Sequence, residues 1–154
     1  YGDTTLLKRQ YPSMKKWVKY MTDSSRQHLW NKGFHFGDWL FYSLGNDTDG
    51  RSAVTDKYLI AQCFYAYSTQ LMVNASGVLG LKEDEVQYQR LLENIKSAFL
   101  NEYVSRNGRL TSSTQTAYVL ALEFDMLPEG IRQGAAKRLV ENIIAYKYNS
   151  VFEG

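Results

Sequence analysis

Apolar residues return along this chain at spacings of three and four, in successive blocks that read as helices. Met14, Trp17, Val18 and Met21 mark one face of a first helix, expected from about Asp3 to Thr22 with a break near Pro12 and with Asp3 or Thr4 as its cap. The pattern lapses from Ser24 to about Thr55. Gly33, Gly37, Gly45 and Gly50 fall there among Asn46, Asp47, Thr48 and Asp49, a turn-rich composition. This stretch holds Trp30, Trp39 and both histidines. Irregular segments of such length inside a compact domain are often functional.

Helical spacing resumes near Asp56 and runs to about Ser76. Leu59, Ile60, Ala61, Cys63, Phe64, Tyr65 and Ala66 leave almost no polar face, which predicts a helix surrounded by other helices. After Gly77 and Gly80, a helix opening on Glu83, Asp84 and Glu85 carries Leu91, Leu92, Ile95, Phe99 and Tyr103 along one side only. The three acids suit a helix N-terminus, where they complement the dipole. The pair then recurs. Ser112 with Gln115 fits a capping box before another helix apolar nearly all round, Tyr118 to Phe124. Leu127-Pro128-Glu129 opens a last helix, with Pro at its first position and a single stripe of Ile131, Ala135, Leu139 and Ile143.

The expected order is buried, surface, buried, surface. A toroid of α-hairpins produces that alternation, and so does an open α-solenoid. A closed six-hairpin barrel takes about twelve helices, and the chain offers about five or six, roughly half of one. The expected fold class is therefore all-α, a partial α/α-hairpin toroid, with residues 1–154 forming one domain that is a piece of a larger barrel.

Composition removes some functions. The net charge is +2, with bases scattered among acids, which speaks against nucleic acid as a partner. No apolar run approaches the roughly 20 residues of a membrane span. One cysteine, Cys63, cannot build a disulfide framework, and in its apolar context it reads as a small buried hydrophobe. Asn46-Asp47-Thr48-Asp49-Gly50 begins like a calcium loop but lacks the closing Glu, so no metal and no cofactor is expected. Aromatic residues make up 14% of the chain, and Tyr and Trp pair a flat apolar face with a polar tip. Sugar clefts use that combination, and so do ordinary cores.

Gly2-Asp3-Thr4-Thr5-Leu6-Leu7, then Tyr11-Pro12-Ser13-Met14-Lys15-Lys16-Trp17, resembles the central part of bacterial α-L-rhamnosidase catalytic domains. Gly37-Asp38-Trp39-Leu40, Asp56-Lys57-Tyr58-Leu59-Ile60-Ala61 and Thr114-Gln115-Thr116-Ala117-Tyr118-Val119-Leu120-Ala121-Leu122 follow in the family's order. The resemblance implies an (α/α) six-hairpin barrel and hydrolysis of terminal α-L-rhamnosyl bonds with inversion, on a rhamnose-containing glycan or glycoside. Inversion needs two carboxyl groups roughly 6.5–9.5 Å apart. In the family one lies upstream of this region and one downstream, so both are expected outside this chain.

What the resemblance leaves here is part of a sugar pocket. Trp39 is expected as an aromatic wall for the rhamnose ring, or alternatively as an anchor beneath the loop. Asp38 is expected to accept hydrogen bonds from ring hydroxyls, or to orient or cap the loop. His35 and Phe36 flank them as further substrate-binding candidates, His35 with an alternative structural role. Two other functions stay open: another α/α-barrel glycosidase of the glucosidase or trehalase kind, and a non-catalytic helical-repeat binding domain. Localisation and oligomeric state are not legible.

Overall fold

The computed structural model describes residues 2–38 and 55–151, with 146–151 described by backbone alone. These residues form α1 (Thr5–Ser24), α2 (Lys57–Leu79), α3 (Lys82–Tyr103), α4 (Gln115–Glu123) and α5 (Glu129–Val151). The fold is all-α, part of an α/α toroid. Among the described residues the β-pairing is limited to two isolated bridges inside turns, Arg26 with Leu29 and Val104 with Leu110.

Gly80 makes the first complete hairpin. Its φ of +71° reverses the chain, and the Leu81 N–H donates back to the Ser76 carbonyl at 2.9 Å. Helix α3 then returns along α2, so that Gln62 near the start of α2 meets Ile95, while Gly77 near its end lies beside Glu85. The second hairpin turns through Asp125, where α3, α4 and α5 meet. Its carboxylate takes Lys96 of α3 and Arg132 of α5, each at 2.9 Å. Farther along α5, Arg138 donates to the carbonyls of Asn107 and Gly108, and Asn142 to that of Ser113.

The alternation expected from the sequence is present. Helix α2 contributes Leu59, Ala61, Cys63, Tyr65, Ala66, Met72 and Ala75 to the core, and α4 adds Ala117, Tyr118 and Ala121. Helix α3 buries only the stripe Tyr88, Leu92, Ile95, Phe99 and Tyr103. Helix α2 is not covered on all sides, however. Phe64, Tyr67 and Leu71 keep an open apolar face, with Tyr67 stacked on Phe124 at 4.4 Å.

Helix α1 does not break at Pro12. The proline forfeits one helical hydrogen bond, at a typical cost near 3 kcal/mol. Neighbouring contacts keep the helix continuous past it: Tyr11, Val18 and Met21 are buried, and Pro12 itself is exposed. The Tyr11 hydroxyl reaches Ser76 Oγ of α2 and Asp84 Oδ2 of α3, both at 2.7 Å, and Lys15 pairs with the same carboxylate at 2.9 Å. Asp3 is the effective cap, its Oδ1 accepting from the Thr5 N–H at 2.8 Å, and Thr4 makes no side-chain cap bond. A side-chain bond from Thr5, and then that backbone bond, hold the Asp3 carboxyl below the ordinary range.

The capping box at Ser112 and Gln115 is also corrected. Thr114 caps α4 by accepting from the Ala117 N–H at 3.2 Å, which frees the Ser112 hydroxyl for another helix. Pro128 stands just before α5 rather than within it, its carbonyl accepting from the Ile131 N–H at 3.0 Å.

Candidate functional site

Helices α2 and α4 bring their N-termini together at one end of the molecule. Asp56 caps α2, accepting from the Tyr58 N–H at 2.8 Å, and its own N–H donates to Ser112 Oγ at 3.0 Å. One residue earlier, the Thr55 hydroxyl lies 2.7 Å from that of Thr114 and donates to Asp38 Oδ2, also at 2.7 Å. The Thr55 N–H points at the same carboxylate at 3.3–3.4 Å. Thr55 is buried, whereas Asp38 and Thr114 are half-buried. Asp38 is thus fastened to the mouth of the two inner helices by a residue seventeen positions away in sequence.

Beside this cluster lies an aromatic layer centred on Trp30. Its ring receives Trp17, Tyr20, His35 and Tyr65 edge-on, His35 closest at 4.6 Å between centroids. Trp17 and Tyr20 stack on each other at 5.7 Å and remain about half exposed. Helical spacing had put Trp17 on the buried face, but its ring meets Trp30 at a steep angle and stays about half exposed.

Trp30 is positioned by a tight turn. Gln27 and His28 both take positive φ, +52° and +63°, between the paired residues Arg26 and Leu29. A two-residue turn of this kind favours Gly or Asn, and each bulkier residue there costs roughly 1–2 kcal/mol. Gln62, wholly buried on α2, holds the turn closed. Its Oε1 accepts from the Trp30 N–H at 2.9 Å, and its Nε2 donates to the carbonyls of His28 at 2.9 Å and Ile95 at 3.2 Å.

Of the residues the sequence offered as substrate ligands, Asp38 lies at the inner-helix mouth. His35 is half-buried between Trp30 and Tyr58, with Nε2 3.2 Å from the Lys32 carbonyl oxygen. The Tyr58 hydroxyl donates to the Gly33 carbonyl, so His35 is built into the segment that leads to Asp38. Phe36 is 61% exposed and meets Phe34 edge-to-face at 4.7 Å. Trp39 lies outside the described residues, as do Asn46 to Gly50 of the calcium-like segment. Among the described residues no group of three or more His, Cys, Asp or Glu converges as a metal site would require. Among the described residues no helix is long and apolar enough to cross a membrane. Cys63 is buried, and burial pushes its thiol up to about 12.

Sequence reasoning missed Thr55, Thr114 and Gln62, and gave Ser112 a different role. Thr114 lay inside a quoted motif, and Thr55 stood directly before the Asp56 cap. Nothing in their spacing pairs two threonines 59 residues apart.

The model of the bacterial α-L-rhamnosidase six-hairpin glycosidase domain matches residues 1–152. The chain belongs to this family. An α-L-rhamnosidase of Formosa agariphila is 34% identical over 146 residues, covering 92% of this chain and 15% of that protein. The crystal structure of the Streptomyces avermitilis α-L-rhamnosidase complexed with L-rhamnose superposes with a TM-score of 0.80 at 34% identity, over 96% of this chain and 13% of that one. The α-L-rhamnosidase of Aspergillus terreus superposes with a TM-score of 0.85 at 31% identity, over 96% of this chain and 17% of that one. The chain therefore spans about one seventh of the length of the rhamnosidases it matches, and its helices are a section of a six-hairpin glycosidase domain.

Proposed function

We propose that this chain is a wall segment of an α-L-rhamnosidase that hydrolyses terminal α-L-rhamnosyl bonds with inversion, and that residues 1–154 form one section of its catalytic barrel. The observation that carries the reading is the rhamnosidase family match across residues 1–152, joined to the small share of each relative that the chain covers. The Streptomyces enzyme was crystallised with L-rhamnose, which supports the same sugar here. The segment supplies part of the pocket at the mouth of α2 and α4. Asp38 binds ring hydroxyls there, Trp39 packs against the sugar's apolar face, and His35 and Phe36 line the approach.

The two catalytic carboxyl groups belong to other parts of the barrel. Asp38 and Asp56, which flank the inner-helix mouth, are occupied as acceptors within the chain. An acid or base free to exchange a proton with substrate is better sought elsewhere. The open face of Phe64, Tyr67 and Leu71 fits the same view, since further hairpins of a closed barrel would cover it.

The test is a substrate panel on the longer protein that contains this segment. Nitrophenyl α-L-rhamnoside should be cleaved in preference to the α-glucoside, and Trp39→Ala should weaken that cleavage. Preference for the glucoside would move the assignment to another α/α-barrel glycosidase. Cleavage of neither would favour a binding role.

A further inference from the structure

The hydroxyls at the inner-helix mouth admit one allocation of protons. Asp38 offers only acceptors to Thr55, so the Thr55 proton goes to Asp38 Oδ2 at 2.7 Å. Thr55 then has only lone pairs to turn toward Thr114, and the 2.7 Å contact between them must be filled by the Thr114 proton. Thr114 in turn accepts from the Ala117 N–H at 3.2 Å with its remaining lone pair. The chain is therefore directed: Ala117 N–H to Thr114, Thr114 to Thr55, Thr55 to the Asp38 carboxylate. Each hydroxyl in such a chain polarises the next, and the last bond, made to a charged group, is the strongest.

We propose that Thr55, backed by Thr114, is a positioning residue for sugar binding, acting through Asp38. The inference rests on the reading of Asp38 as a sugar ligand. Thr55 is 2% exposed, and its hydroxyl is taken up by Asp38 and Thr114. It touches no substrate, and its effect is to fix which Asp38 oxygen is spent on the protein and at what angle the carboxylate is presented. Thr114 extends that control to a second inner helix, so a shift of α4 against α2 is felt at Asp38 although the two are far apart in sequence.

The experiment measures L-rhamnose dissociation constants, with KM and kcat for nitrophenyl α-L-rhamnoside, in the longer protein carrying Thr55→Val, Thr55→Ser, Thr114→Val, Asp38→Asn, or Thr55→Val with Asp38→Asn. Thr55→Val is expected to weaken rhamnose binding and raise KM roughly tenfold, and Thr114→Val roughly threefold, with kcat held within about twofold. Thr55→Ser keeps the hydroxyl and is expected to stay within about twofold of the unaltered protein, which separates positioning from loss of fold. In the Asp38→Asn background, Thr55→Val should add less than about twofold, because its route of action has already been removed. An equal loss in both backgrounds, or unchanged rhamnose affinity in Thr55→Val when Asp38→Asn weakens it, overturns the inference alone. Unchanged affinity in Asp38→Asn overturns the pocket reading and the inference together.

Discussion

Gln62 is the residue whose removal should be felt most widely. Replacing it with Leu nearly preserves volume and deletes the carboxamide. The Ile95 carbonyl lies within α3 and keeps its helical bond. The Trp30 N–H loses its acceptor and the His28 carbonyl its donor, both against a wholly buried side chain. Each stranded group costs about 1–3 kcal/mol. The apolar Leu returns about 1–2 kcal/mol by burial. The net loss is about 1–4 kcal/mol, or roughly 2–16 °C in Tm for a chain of this size. A companion substitution should act in the opposite direction. His28→Gly relieves a side chain held at φ +63° and is expected to add about 0.5–1 kcal/mol, the glycine's own entropy cost included. Urea unfolding followed by circular dichroism reads both values, and the fluorescence of the tryptophans reports whether the layer around Trp30 loosens first. A Gln62→Leu loss below about 1 kcal/mol, or a His28→Gly variant less stable than the parent chain, would refute the view that Gln62 holds a strained turn closed.

Other parts of the account give sharp outcomes. Lys15 first, and then the Tyr11 hydroxyl, hold the Asp84 carboxyl below its ordinary value of 3.8, while burial raises the Tyr11 phenol to about 12. Because the folded-state value is the lower one, Asp84 contributes stability above the unfolded value that is lost as pH falls through the folded one. Asp84→Asn should therefore flatten stability against pH below about pH 4, seen as converging urea midpoints for the two proteins in acid. Cys63 should resist a maleimide in the folded chain and react once the chain is unfolded in urea, since burial removes both access and thiolate. Labelling of the folded chain at the unfolded rate would contradict its placement. The isolated chain should self-associate through the open α2 face, and Phe64→Lys with Leu71→Lys should shift light scattering toward the monomer.

The helices were readable because their apolar spacing is unambiguous, and the buried–surface alternation came from how much of each circumference is apolar. Pro12 misled because its local cost is outweighed by Tyr11, whose partners Ser76 and Asp84 lie 65 and 73 residues away. Ser112 misled for a related reason, since its hydroxyl serves α2 and Thr114 does the capping. At the site, Asp38 and His35 could be singled out only through the resemblance carried by Gly37-Asp38-Trp39-Leu40 and the residues flanking it. Their holders could not, because Thr55, Thr114 and Tyr58 acquire their meaning only when two helix N-termini meet. The exposed apolar face of α2 carries a different lesson. Its sequence anticipates neighbours on every side, and the described residues supply them from α1, α3 and α4 while leaving the face of Phe64, Tyr67 and Leu71 open.

The most direct test of the central claim sets the isolated chain beside the longer protein that contains it, with nitrophenyl α-L-rhamnoside as substrate and the anomer of the released rhamnose followed by NMR. The account predicts rapid release of the inverted sugar by the longer protein and none by the chain alone. Rhamnoside cleavage by the isolated chain, abolished when one of its own carboxylates is changed, would contradict it.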